Sequence, residues 1–210
     1  MTPTLNKIVI ASKNSGKISE IREILTLENV QFLDLGSLGF ENRIEENGLT
    51  FRENAVIKAE SVFKRYGLPV VADDSGLSVA ALGGKPGVMS ARFSGPLATD
   101  EANNDLLLAL LKGLPAQERD AFFFCAAVFY HGRGEYLYAE GRVDGVIAME
   151  PVGENGFGYD PLFFLPPFGK TMAQLSREEK NAVSHRSKAF RSLGGLIRLH
   201  GQSIFPRLQP

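Results

Sequence analysis

Three short apolar runs open the chain: LNKIVIAS at 5–12, VQFLDL at 30–35 and LPVVAD at 68–73. The stretches between them carry apolar residues at helical spacing. This alternation constrains the fold more than any other feature. Runs of this length bounded by polar residues read as strands, and recurrence at i, i+3 and i+4 reads as an amphipathic helix. The spacing predicts a helix over 15–28, with Ile18, Ile21, Ile24 and Leu25 on one face. A polar loop is expected over 36–49. Thr50 and Glu53 then form a capping-box pattern opening a helix over 51–66, with Phe51, Ala55, Ala59, Val62 and Phe63 as its apolar stripe and Gly67 as its stop. Thr99 begins an acidic first turn and a leucine-rich helix to Lys112, stopped by Gly113. AFFFCAAVFY and EYLYAEGRV read as strands of a hairpin across HGRG. Residues 150–170 read as a structured Gly- and Pro-rich loop holding a short strand, LFFL. Ser176 and Glu179 form another capping box, and a last amphipathic helix uses Ala189, Phe190, Leu193, Leu196 and Ile197. Early alternation with a late hairpin predicts an α/β fold: a central mixed, twisted sheet flanked by helices.

The 210 residues show no internal repeat and no low-complexity linker, so a single domain over 1–210 is expected. Formal net charge is −1, from 23 basic and 24 acidic residues, without long runs of one sign. A nucleic-acid polymer is therefore not an expected partner, although a local basic pocket for a small anion is allowed. Cys125 is the one cysteine, which rules out an intramolecular disulfide. MTPTLNKIVIAS lacks the apolar length of a signal peptide, and no apolar stretch approaches about 20 residues. A cytoplasmic protein without a membrane partner is the expectation.

Five segments could carry chemistry. ASKNSGK, 11–17, joins a strand to a helix, where unpaired backbone N–H groups favour anions and Lys17 adds charge. It reads as a phosphate site or a polar loop with a surface lysine. It is not a Walker A loop, which needs Gly at Ala11 and Ser or Thr at Ile18. Glu45 and Glu46 read as surface residues unless a partner lies elsewhere. Asp73 and Asp74, in VVADDSGL, end an apolar run. Adjacent strand residues point to opposite faces, so the two can serve one site only if the strand ends and turns between them, with Ser75 and Gly76 supplying the turn. The pair then reads as a Mg²⁺ site or as a strand-end turn. GENGFGYDPLF, 153–163, offers Phe157 or Tyr159 to stack on a base and Asp160 to accept from ring N–H groups, or is a packed turn. In SREEKNAVSHRSKAF, 176–190, Lys180 and His185 are five apart and can meet one ligand only if the helix breaks near Val183–Ser184. Three scattered histidines give no zinc pattern.

In order along the chain, IVIASKNSGKISEI, ENGLTFRENAVIKA, VADDSGL, LGGKPGVMSARFSG, GENGFGYDPLF and LSREEKNAVSHRSKA resemble the inosine triphosphate pyrophosphatase family, in its bacterial and archaeal form. The resemblance implies two lobes with the active-site cleft between them. It implies Mg²⁺-dependent hydrolysis of ITP, dITP and XTP to the monophosphate and pyrophosphate, which clears them from the nucleotide pool before incorporation into DNA and RNA. Ser12, Lys13, Asn14, Ser15, Gly16 and Lys17 would hold the triphosphate. Glu45 and Asp74 would bind Mg²⁺, with Asp73 the supporting acid of the metal group and Asp74 also the base for the attacking water. Ser75 would touch substrate. Phe157, Gly158, Tyr159, Asp160, Lys180, His185 and Arg186 would form the base pocket, whose donors favour a 6-keto purine. A homodimer is implied as well. Ser12 stands where the family usually has Thr, and 201–210 form a C-terminal tail past its usual end. Two rivals are a Maf-type nucleotide pyrophosphatase, disfavoured by SKNSGK, and a noncatalytic nucleotide-binding regulator, disfavoured by the acids at 45, 73 and 74.

Overall fold

The structure, a computed structural model, describes residues 6–41 and 44–204. Seven strands form one mixed sheet in the order β2-β1-β3-β4-β5-β6-β7. They are β1 (Asn6–Ile10), β2 (Val30–Asp34), β3 (Val70–Val79), β4 (Asp120–Gly132), β5 (Glu135–Ile147), β6 (Phe163–Leu165) and β7 (Lys170–Thr171). β1 pairs in parallel with both β2 and β3, whereas β6 is antiparallel to β5 and β7. The helices are α1 (Ser15–Ile24), α2 (Phe51–Tyr66), α3 (Asp100–Leu110), α4 (Arg177–Val183) and α5 (His185–Ile204).

Local chemistry explains most boundaries. α2 has the full capping box of Thr50 and Glu53, and Gly67 ends it in the left-handed region at φ 64°. α4 has the Ser176–Glu179 box. Arg133 and Gly134, both at positive φ, are the only residues between the neighbouring strands β4 and β5, as a tight hairpin turn requires. α1 is shorter than the expected 15–28. Leu25 leaves the helical region at φ −88°, ψ 79°, and Asn29 takes a positive φ of 55° to deliver the chain into β2. α5 runs to Ile204, so 201–204 of the expected tail are helical and 205–210 lie outside the described residues.

The largest departure concerns β3. For both aspartates to serve one site the strand has to end and turn between Asp73 and Asp74, with Ser75 and Gly76 as the turn. Instead, it continues through Asp73, Asp74, Ser75 and Gly76 to Val79. The apolar residues Leu77 and Val79, both fully buried, carry the strand onward, and Gly76 is accommodated because Ser90 and Gly87 lie where a Cβ would be.

The chain divides into two compact units. The first takes the described residues up to Asp74, Cys125–Gly141 and those from Arg186 on. Its core joins Ile8, Ile10 and Val71 of the sheet to Ile21 of α1, Leu25 just past its end, and Phe190 and Leu193 of α5. The second takes Ser75–Phe124 and Arg142–His185, and its core includes Leu77, Leu107, Phe123, Tyr159, Phe163 and Met172. Among the described residues no helix is long and apolar enough to cross a membrane.

Candidate active site

In the first unit, β3 presents its two aspartates to different surroundings, as the alternation of an extended chain requires. Asp73, 2% exposed, meets α1 and α5. Its Oδ2 lies 3.2 Å from Lys17 Nζ and 3.1 Å from Arg186 Nη2, with Cys125 Sγ at 4.0 Å. Arg186, 1% exposed, also reaches Glu20 Oε2 at 2.6 Å. Burial alone would raise the Asp73 carboxyl, but Lys17 and Arg186, with Lys58 behind them, hold it well below the ordinary carboxylate range. Burial, reinforced by the Asp73 charge, pushes the Cys125 thiol far up, so this cysteine is an inert core residue.

Asp74 meets α2. Lys58 Nζ is 3.2 Å from its Oδ1, and Asn54 Nδ2 donates to its Oδ2 at 3.1 Å. The fully buried Asn54 also accepts from the Gly48 N–H at 2.8 Å, which ties the preceding loop to α2. Gly48 allows that approach, since a Cβ there would stand 2.7 Å from Glu53 Cβ. The tied loop brings Glu46 to 3.4 Å from Lys58 Nζ, while Glu45 is exposed. Burial raises the Asp74 carboxyl above its ordinary value. Lys58, Lys17 and Asn54 oppose that rise and Glu46 adds to it. Lys58 is shifted upward: burial works against its charge, but Asp74, Asp73 and Glu46 outweigh burial.

Among the described residues, no three His, Cys, Asp or Glu side chains gather into a metal-binding group. Glu46 and Asp74 nevertheless converge on one cation, the Lys58 ammonium, and both offer hard oxygen donors. Two carboxylates completed by substrate phosphates are the kind of donor set Mg²⁺ takes, so these residues fit that ion. Of the other two expected acids, Glu45 is exposed on the same loop as Glu46, and Asp73 is engaged by Lys17 and Arg186.

The 12–17 segment forms the N-terminal end of α1. Asn14 caps the helix by accepting from the Lys17 N–H at 2.9 Å, and the Asn14 N–H donates to Ser12 Oγ at 3.2 Å. No acid occupies the first turn, so the positive end of the helix dipole is not offset there. Lys13 turns to the Glu41 carbonyl at 3.0 Å. Ser15 is exposed and Gly16 half-buried.

In the second unit, the 153–160 loop is held by ion pairs and hydrogen bonds. Asp160, 2% exposed, takes Lys180 Nζ at 2.7 Å and the Phe157 N–H at 3.0 Å on the same Oδ2. The Lys180 ammonium stands 4.6 Å from the centroid of the half-buried Phe157 ring. Tyr159 is a core residue whose hydroxyl donates to the Ser90 carbonyl at 2.8 Å, which leaves Phe157 as the aromatic available for stacking. His185 is buried and stacks on Phe123, with centroids 4.7 Å apart. The helix does break where expected: Ser184 adopts ψ 154° between α4 and α5, so Lys180 and His185 come from separate helices. Ser75 is half-buried on β3. Of the residues expected in the base pocket, Phe157, Asp160 and Lys180 are together, whereas Arg186 belongs to the Asp73–Glu20 group of the first unit.

Sequence reasoning passed over Lys58, Asn54 and Glu20. For the first two a signal existed. They sit four apart among Ala55, Ala59 and Val62, so helical spacing puts them on the buried stripe.

An α/β sheet thus carries a buried acid–lysine cluster on one unit and an aromatic, acid and lysine loop on the other. The chain belongs to the Ham1 family, whose model matches residues 8–195. It is 46% identical over 193 residues to the dITP/XTP pyrophosphatase of Bacillus subtilis (strain 168), covering 92% of this chain and 98% of that protein. With the dITP/XTP pyrophosphatase of Shigella flexneri it shares 46% identity over 196 residues, covering 92% and 99%. The solved structure of the Staphylococcus aureus Ham1 protein superposes with a TM-score of 0.83 at 42% identity, covering 93% of this chain and all of that one.

Proposed function

We propose that the chain is a Mg²⁺-dependent pyrophosphatase of non-standard purine nucleoside triphosphates. It is an enzyme that hydrolyses nucleoside triphosphates, as its relatives' names support. The finer reading assigns ITP, dITP and XTP as substrates, with monophosphate and pyrophosphate as products. The observation that carries it is the division of labour at β3: Asp73 is neutralised by Lys17 and Arg186, while Asp74 has a raised carboxyl beside Lys58 and Glu46.

Phosphoryl transfer needs positioning and charge neutralisation more than covalent help. Lys17 and the N-terminal turn of α1, from Ser12 onward, hold the phosphates. Asp74 accepts a proton from the attacking water. The new bond joins that oxygen to the α-phosphorus, and the bond to the departing pyrophosphate breaks. A carboxylate of raised pKa is a stronger base than an ordinary one. Lys58 orients Asp74 and offsets negative charge nearby. Mg²⁺ held by Asp74 and the glutamates of the 45–46 loop would supply further charge neutralisation at the phosphates.

In the second unit, Phe157 stacks on the purine, and Asp160 and Lys180 fix its edge, with His185 close in sequence to Lys180. A 6-keto group accepts where a 6-amino group donates, and a mismatch of that kind can discriminate by about 10⁴ to 10⁵. Clearing the nucleotide pool in the cytoplasm, as a homodimer, completes the reading that the resemblance implies.

The test is pyrophosphate release from ITP, dITP and XTP against ATP and GTP, with and without Mg²⁺. Release from the first three in the presence of Mg²⁺, and far less from ATP, is the expected result. Equal turnover of ATP overturns the substrate assignment, and undiminished turnover after chelation overturns the metal.

A further inference from the structure

One face of α3 grips a single residue of the 153–160 loop by both of its backbone polar groups. The Gly158 N–H donates to Asp100 Oδ2 at 2.7 Å. Asn104 Nδ2 donates to the Gly158 carbonyl at 3.0 Å. Asp100 and Asn104 are four apart, hence one above the other on the helix surface. Gly158 itself is at φ +63°, a conformation that L side chains rarely adopt.

The grip bears on Phe157. Its own N–H is taken by Asp160 at 3.0 Å, and the following N–H, of Gly158, is taken by Asp100. The two peptides that flank Phe157 are thereby each held by a carboxylate. Stability does not account for the amide at 104. Asn104 Oδ1 is buried and, among the described residues, has no hydrogen-bond partner. A buried acceptor without a partner is unfavourable, and a leucine of similar size would remove it.

We infer that Asp100 and Asn104 are positioning residues that hold the Phe157–Gly158 peptide and so set how strictly the loop tells a 6-keto purine from a 6-amino one. This rests on the reading of the loop as the base site given above. The physical distinction is between two kinds of contact. Stacking on an aromatic ring is tolerant of the base. Matching donors and acceptors along the purine edge is not, and it needs the backbone held in place. Loosening the grip should therefore erode discrimination more than turnover.

The experiment measures kcat and KM for ITP and ATP in wild type, Asp100→Ala, Asp100→Asn and Asn104→Leu. Asp100→Ala should raise KM for ITP about tenfold, the worth of one charge-assisted hydrogen bond, with a much smaller change in kcat. The ITP-to-ATP preference should fall by a similar factor. Asp100→Asn keeps an acceptor oxygen and should recover most of the loss. Asn104→Leu removes the unpaired acceptor together with the donor to the Gly158 carbonyl, two effects of opposite sign on stability, so it should melt close to wild type while still losing preference. That variant keeps the test decisive if Asp100→Ala folds poorly. Folded variants with unchanged preference overturn the inference, as does an equal loss for both nucleotides that Asp100→Asn does not recover. If wild type itself shows no preference for ITP, the substrate reading fails, and the inference fails with it for that separate reason.

Discussion

The two units hold their functional side chains by different means. In the first, acids sit in the middle of a strand and are fixed by side chains from helices: Lys17 and Glu20 on α1, Asn54 and Lys58 on α2, Arg186 on α5. In the second, the key residues lie on a loop and are fixed largely through backbone groups, at Phe157 and Gly158. The contrast teaches where each task belongs. Groups that handle charge on phosphates benefit from burial, which strengthens electrostatics, and from elements that do not shift. Groups that read a base can sit on a loop, where sequence change retunes selectivity without disturbing the core.

That contrast can be broken most forcefully at Asp74. Asp74→Asn removes the proposed base and should lower kcat about 10²- to 10⁴-fold, with KM for ITP changed far less. Steady-state assays on a sample shown to be folded by circular dichroism check this. Survival of most activity would remove Asp74 from the chemistry and leave the first unit as a purely structural ion cluster.

Arg186→Met comes next. It leaves Asp73 and Glu20 buried with one cation fewer, and breaking such a group costs about 3–5 kcal/mol. The sign of the pH dependence follows from Asp73. Its carboxyl is held below the ordinary value of 3.8, so its contribution to stability is present above that value and is lost as pH falls through the acid range. In the variant the loss should begin at higher pH. Urea denaturation between pH 7 and pH 3 measures both effects. An unchanged acid limb would mean that Lys17 alone sets the charge state of Asp73.

The smallest of the three sits in the second unit. Phe157→Leu keeps apolar bulk but removes the stacking face, worth about 1–3 kcal/mol per base. KM should rise for every purine triphosphate alike, with stability within about 1 kcal/mol of wild type. Titration of ITP against folded protein reads it. A drop in stability without a change in KM would make Phe157 a core residue and remove stacking from the reading of the loop.

Much of this was legible in the sequence. Capping boxes at Thr50–Glu53 and Ser176–Glu179, the Gly67 stop and the Arg133–Gly134 hairpin are local signals, and they place α2, α4, β4 and β5 closely. A break near Val183–Ser184 is what the spacing of Lys180 and His185 requires for them to meet one ligand, and Ser184 supplies it. The course of β3 was not legible, because an Asp-Asp-Ser-Gly run carries turn chemistry locally and is kept extended by pairing and by buried Leu77 and Val79. The ion pairs of Arg186 were hidden for a related reason. Its partners Glu20 and Asp73 are 166 and 113 residues away, and no local pattern announces such a pairing. Glu45 and Glu46 are neighbours in sequence, and no local pattern tells which of them reaches Lys58; the structure brings Glu46 there and leaves Glu45 exposed.

The uninterrupted run of β3 also says where the chain can change length. A single-residue deletion between Val70 and Ala72 would turn every later side chain of the strand to the opposite face. Asp73 would then meet Lys58, Asp74 would meet Arg186, and Leu77 and Val79 would leave their core. Connections such as 36–49 are under no such parity, and added residues there carry only a slowly growing entropic penalty. Engineering by insertion or circular permutation has room in those connections. In this one strand, odd and even positions are as binding as the letters themselves.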